Sequence, residues 1–183
     1  MNTPPLTHEH AEFSRPVAVE TLSLGESRQR MEATPEECAA LAERFGLLSL
    51  DNFIADLMLN RTGHGKRIRI GLKGTLTANL TQTCVVTLDP VPARIKAEIE
   101  TMFDSDVDDT EAGNDIDEGF DDPDEPIIDG VIDLGETVAQ FLALEIDPFP
   151  RIEGADEEEM KLESDESSQN PFAVLEKLKI QPK

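Results

Sequence analysis

Apolar side chains recur at every second position over much of this chain, the period of a strand with one buried face. Leu50 to Leu59 reads as a strand. Arg67–Leu72 and Thr75–Thr81 read as the two parts of a second, with a glycine bulge expected at Gly71 or Gly74. From Ala93 to Phe103 the residues Ile95, Ala97, Ile99, Thr101 and Phe103 share one face, and Arg94, Lys96, Glu98 and Glu100 the other. Pro16–Leu22 alternates more briefly, and Pro126–Ile132 regains strand character. Asn60–Gly65 and Val91-Pro92 are the expected turns. Strands joined by short turns imply antiparallel pairing.

The period changes to helical in two places. Thr34 and Glu37 form a capping box, Pro35 takes the first helical position and Gly46 the stop. Cys38, Leu41, Ala42 and Phe45 then share a face. Asp133 caps a second helix, with Glu136 expected to complete its box. Leu134, Val138, Phe141 and Leu142, completed by Leu144 or Glu145, are the expected buried stripe, and Pro148-Phe-Pro150 ends it. Near the C-terminus, Asn170-Pro171 opens a short helix whose apolar face carries Phe172, Leu175 and Leu178. Such a helix is marginal alone and must dock, so these three are candidate partner-binding residues.

The expected fold is α+β: an antiparallel, strongly curved or barrel-like sheet, two main helices and a short C-terminal helix. Residues 1–15 form a flexible N-terminus and 16–152 the domain, with an acidic loop over 104–125. Residues 153–169 are an acidic linker, and 170–183 hold the last helix.

Charge changes this picture. The net charge is −23, and residues 97–183 carry all of it, with 5 basic and 28 acidic side chains. Residues 1–96 are balanced, with 11 of each. The acidic half repels phosphate and attracts basic proteins. The same charge also keeps a small domain soluble. Arg61, Lys66, Arg67, Arg69 and Lys73 are the only concentrated cations, and they are the candidate RNA contacts. No aromatic is interleaved, so base stacking is not indicated. The simpler account is a charged edge that blocks strand-to-strand association.

Chemistry beyond charge is sparse. The chain has no nucleophile elbow, phosphate-binding glycine loop or His-Glu-x-x-His motif, and no catalytic residue or cofactor is expected. Asp104, Asp106 and Asp108 start like a calcium loop, but Asp109 stands where the turn needs Gly and Asp115 where Glu belongs. No apolar run is long enough to cross a membrane, and Met1–His10 lacks the pattern of a secretory signal. A cytoplasmic location with free Cys38 and Cys84 is expected.

Three segments, in order, resemble the bacterial YceD family. Cys84-Val-Val-Thr-Leu-Asp-Pro-Val91 is similar to its Cys-x-x-Cys-Leu-x-Pro-Val stretch. Val131-Ile-Asp-Leu-Gly-Glu136, closed by Asp147-Pro-Phe-Pro150, resembles its Ile-Asp-Leu helix after a long acidic loop. Asn170-Pro-Phe-Ala-Val-Leu-Glu-Lys-Leu-Lys179 looks like its terminal motif. The resemblance implies a non-enzymatic accessory role in synthesis, processing or accumulation of large-subunit 23S ribosomal RNA. The implied partners are that RNA and possibly a basic large-subunit ribosomal protein, with no small-molecule substrate. An acidic adaptor for such a protein, without RNA contact, is the alternative. Thr87 replaces the second cysteine of the family motif, so Cys84 lacks the company that a four-ligand zinc site needs.

Overall fold

A computed structural model describes residues 11–63, 67–105 and 125–155. Among them the order is β1 (Pro16–Ala18), a 3₁₀ turn (Val19–Thr21), β2 (Gly25–Glu32), α1 (Pro35–Phe45), β3 (Ser49–Thr62) and β4 (Arg69–Thr83). Then come β5 (Pro90–Asp104), β6 (Glu125–Pro126), β7 (Val131–Asp133) and α2 (Leu134–Glu145). The chain divides into two compact units: residues up to Gln82 with Pro92–Asp147, and Thr83–Val91 with the segment from Pro148 onward.

In the first unit, alternation sorts the strands into a wet face and a dry one. Phe53, Ala55, Leu57 and Leu59 of β3 are buried with Ile70, Leu72, Leu76, Ala78 and Leu80 of β4 and with Ala97, Ile99 and Phe103 of β5. Leu41 of α1 and Leu134, Val138 and Leu142 of α2 belong to the same core. Burial of this apolar surface, at about 25 cal/mol per Å², is the main stabilising term.

α1 starts as its sequence dictates. The Glu37 N–H donates to the Thr34 hydroxyl, and Glu37 accepts from the Thr34 N–H. Gly46, at φ 66°, ends the helix.

The sheet departs from expectation in three ways. It has the order β2-β3-β4-β5-β6 and is mixed, because β6 runs parallel to β5 with Phe103 opposite Glu125. It is not closed: β2 and β6 are its borders, and β1 pairs with β7 in a separate two-stranded ribbon. An antiparallel barrel is therefore excluded as its architecture. Alternation fixes which face a residue takes but not the direction or partner of its strand, and a parallel pair needs a long connection. Residues 105–124 supply one. The bulge also moves. It lies in β3 between Asp51 and Ile54, where Asn52 adopts φ 52°, a region that Asn tolerates.

Other boundaries shift. Val19–Thr21 coils into a 3₁₀ turn instead of extending the first strand. β2 was not foreseen, because it places Ser27 and Gln29, not apolar residues, on its inner face. β5 begins at Pro90, so the turn precedes Val91-Pro92. Leu144 and Glu145, expected to complete the buried stripe of α2, are exposed instead, on the outer side of the helix. The C-terminal helix and most of the acidic loop lie outside the described residues, as do residues 1–10.

Residues 11–15, expected to be flexible, are anchored. Phe13 is buried, with its ring centroid 5.3 Å from that of Phe53. Asp133 holds this segment and starts α2 at once. Its carboxylate accepts from Ser14 Oγ at 2.5 Å, Arg15 N at 2.7 Å, Gly135 N at 3.0 Å and Glu136 N at 3.2 Å. A Cβ on Gly135 would stand 2.3 Å from the Phe13 carbonyl oxygen, so only glycine admits the crossing. Glu136 does not complete a capping box; it forms a fork with Arg44 at 2.7 and 2.8 Å. Arg15 grips Glu37 in the same way at 2.7 and 2.9 Å.

Asp133→Ala should cost about 3 kcal/mol in urea unfolding, because it removes a cap and strands partly buried donors. The hydrogen bond from Arg15 holds the Glu37 carboxyl below its usual range. Its folded pKa is thus below the unfolded value of about 4.3. That contribution is present above the unfolded pKa and disappears as pH falls through the folded one. The stability gap between wild type and Glu37→Gln should therefore shrink between pH 6 and pH 3, as read by thermal melts at each pH.

Candidate functional site

The basic hairpin is built by the end of β3 and the start of β4, where Arg61 pairs with Ile70 and Thr62 with Arg69. Its cations are already engaged. Arg61 has the same parity as the buried Leu57 and Leu59, so its side chain turns inward. Its Nη1 donates to the carbonyls of Val19 at 3.0 Å and Leu22 at 2.6 Å, bracing the 3₁₀ turn. Its Nε is buried without a partner among the described residues. Arg67 Nη2 and Arg69 Nε both reach Asp104 Oδ2, at 3.2 and 2.6 Å. Asp104 is only 1% exposed. Ser105 locks the same corner: its N–H donates to the Ile68 carbonyl and its hydroxyl accepts from Ile68 N–H. Lys73 pairs with Glu100 at 2.5 Å. Lys66 and His64 lie outside the described residues, as do Phe172, Leu175 and Leu178.

Asp104 was expected to open the acidic loop, or a calcium site with Asp106 and Asp108. Asp104 instead closes the hairpin as part of β5, while Asp106 and Asp108 lie outside the described residues. Among the described residues, no three His, Cys, Asp or Glu side chains group as metal ligands. No described helix is long and apolar enough to cross a membrane.

The wet face of the sheet holds a depression of about 510 Å³ lined by Arg28 and Arg30 of β2, Asp56 of β3, Lys73 and Gly74 of β4 and Glu98 of β5. At Gly74 the strands close so tightly that a Cβ would stand 2.4 Å from the Asp56 carbonyl oxygen. Arg30 Nη1 reaches both carboxylate oxygens of Asp56, at 2.8 and 3.0 Å, with both side chains exposed. An exposed pair of this kind contributes at most about 1 kcal/mol. Arg28 has no ion pair among the described residues. Sequence reading missed both arginines. Their signal was the alternation Glu26-Ser-Arg-Gln-Arg-Met-Glu32, which is a strand pattern written in polar residues.

The described part of the second unit is a pair of turns. Cys84 N–H donates to the Asp89 carbonyl at 2.8 Å, Leu88 N–H to Cys84 at 3.1 Å and Val85 N–H to Pro150 at 2.9 Å. Cys84 is fully buried, as expected of a small residue at a strand end. The Thr87 hydroxyl and then the Thr87 N–H, 3.5 Å from Sγ, pull its thiol down to about 7 against the effect of burial. The backbone N–H groups of Ile152 and Val86 help. Both cysteines are free. On the outside of this unit Val85, Leu88 and Phe149 are exposed by 47%, 75% and 71%.

These features describe a small α+β protein whose described surface is dominated by charged side chains, with a few exposed apolar ones. The chain belongs to the YceD family: residues 72–179 match the family described as "Large ribosomal RNA subunit accumulation protein YceD". Neither a curated protein nor a solved structure matches the chain.

Leu88 has φ 64°, a conformation that costs a bulky residue about 1 kcal/mol and Asn much less. Leu88→Asn should therefore raise stability by up to about 1 kcal/mol in chemical unfolding.

Proposed function

We propose that this protein is a non-catalytic accessory factor of the bacterial cytoplasm that supports large-subunit ribosomal RNA accumulation by holding a basic ribosomal protein. The family membership supplies the RNA-related role. The partner is argued from charge. Arg67 and Arg69 share one buried carboxylate, Lys73 meets Glu100 and Arg61 meets carbonyls. These internal partners already offset part of the hairpin's positive charge, which weakens any RNA contact through it. In the acidic half Glu100, Asp104 and Glu136 pair with Lys73, with Arg67 and Arg69, and with Arg44, but the remaining acids are in large excess, since no Lys or Arg occurs from Ala97 to Pro150. This half offers a polyanion to a cationic protein and accelerates their encounter.

The non-catalytic part of the reading is supported by the cause of the shift at two carboxylates that join elements. Glu37 and Glu136 are lowered by hydrogen bonds from Arg15 and Arg44, which are structural forks between elements. A general acid or base instead needs its shift aimed at a substrate.

Direct RNA contact is the second reading, and one observation favours it. Arg28, Arg30 and Lys73 line the same depression of the sheet, so cations remote in sequence gather there.

The two readings separate when the tagged full chain is purified from bacteria in low salt and treated with ribonuclease. The expected result is a basic large-subunit protein that stays bound after digestion and leaves as salt is raised. Arg67→Gln with Arg69→Gln should not alter its retention. Release of that protein by ribonuclease, or by the double substitution, would instead establish the RNA reading.

A further inference from the structure

We infer that the groove between α1 and the start of β3 is a docking site for a cationic protein segment that inserts an aliphatic anchor. This inference rests on the adaptor reading and says where the basic partner is gripped. Shape, rigidity and charge support it.

The groove measures about 430 Å³. Pro35, Ala39, Leu47 and Leu48 give it apolar walls, and the exposed Glu43 and Asp51 line it as well. Leu48 is 58% exposed. A single exposed leucine is ordinary, but one that continues an apolar concavity marks a place for a partner side chain.

The walls are fixed before any partner arrives. Gly46 ends α1, the Leu47 N–H donates to the Ala42 carbonyl at 2.8 Å, and the Leu48 N–H donates to the Thr81 carbonyl at 2.8 Å. The hydroxyls of Ser49 and Thr81 meet at 3.1 Å. Docking therefore does not have to order this turn.

Charge selects the occupant. Residues 32–51 hold Glu32, Glu36, Glu37, Glu43 and Asp51 against one base, Arg44. Arg44 is engaged by Glu12 and Glu136, and Glu37 by Arg15. The other four acids are exposed and form no ion pair among the described residues. Among the described residues that line the groove there is no Lys or Arg. Arg94 shares a neighbouring depression with Asp51, yet the two do not form an ion pair. The carboxyl end of α1 adds the negative pole of its dipole. Cys38 registers the same field: burial pushes its thiol up, and the charges of Asp51, Glu37 and Glu32 push it further. An aliphatic anchor that enters here is favoured when Lys or Arg flank it and opposed when acids do. A second copy of this chain, itself at −23, is repelled.

Two labelled peptides of equal positive charge test this, one an oligolysine and the other with Leu interspersed among the lysines. Binding to the full chain is read by fluorescence anisotropy in low salt. Wild type should bind the Leu-containing peptide about tenfold more tightly than oligolysine. Ala39→Gln, which fills the groove, and Leu48→Ser, which removes its exposed wall, should each reduce both peptides to the oligolysine level. Glu43→Gln with Asp51→Asn should weaken the Leu-containing peptide more than oligolysine, because only the former is held beside those two carboxylates. Leu24→Ser, at an exposed leucine outside the groove, should keep the preference. Circular dichroism melts establish that each variant is folded. A preference that survives both Ala39→Gln and Leu48→Ser overturns the site. If oligolysine binds but leucine adds nothing, the site falls and the adaptor reading stands. A preference that appears only after Phe172→Ser with Leu175→Ser assigns the groove to the chain's own terminal segment and overturns the inference. Self-association that Leu48→Ser abolishes assigns it to a second copy, with the same result. If neither peptide binds any of these proteins, the site and the adaptor reading both fall.

Discussion

The carboxylate of Asp104 is the joint between the two halves of this chain. It ends β5, is nearly sealed from water, and accepts from both Arg67 and Arg69 where β4 begins. Its backbone carbonyl takes the Ile127 N–H, which holds the chain as it leaves β6. A buried carboxylate without donors would be costly, so the two guanidiniums are required by the fold. The same residue is where the neutral part of the polypeptide gives way to the acidic part. One interaction therefore secures the corner of the sheet and attaches the anionic run to it.

This arrangement separates roles along the chain. The positive side chains of the hairpin serve mainly the interior of the molecule, as braces and staples. Arg15 and Arg44 do similar work between the N-terminal segment and the helices. The negative side chains far outnumber these partners. Attraction by such an excess of charge acts over roughly 10 Å at moderate salt. Arg44 illustrates the balance: it joins Glu12 at 3.0 Å and Glu136 at 2.7 Å, and both carboxylates hold its proton more firmly than usual.

What the sequence made legible was local. The capping box at Thr34 and Glu37 involves neighbours three residues apart, so it could be read directly. β3 and β5 announced themselves because Phe53, Leu57, Leu59, Ile99 and Phe103 alternate with polar residues. What stayed hidden was partnership. Arg69 and Asp104 are 35 residues apart, and Arg61 and Val19 are 42 apart, so spacing alone could not join them. The parallel pairing of β6 was invisible for the same reason. β2 was missed because an edge strand needs little apolar content, and Met31 alone is buried in it. The exposed apolar residues of the Cys84–Pro90 turn did leave a trace. Val85, Val86 and Leu88 crowd a turn between Cys84 and Pro90, where polar residues would be ordinary.

The two thiols have a consequence of their own. Cys38 belongs to α1 in the first unit and Cys84 to the second, and both are sealed from solvent. An alkylating reagent can reach either one only when its surroundings open, so each rate of labelling measures a local opening equilibrium. Nature has thereby placed one silent chemical clock in each body of the molecule. Without any added probe, peptide mapping of the labelled chain would tell which of the two breathes first.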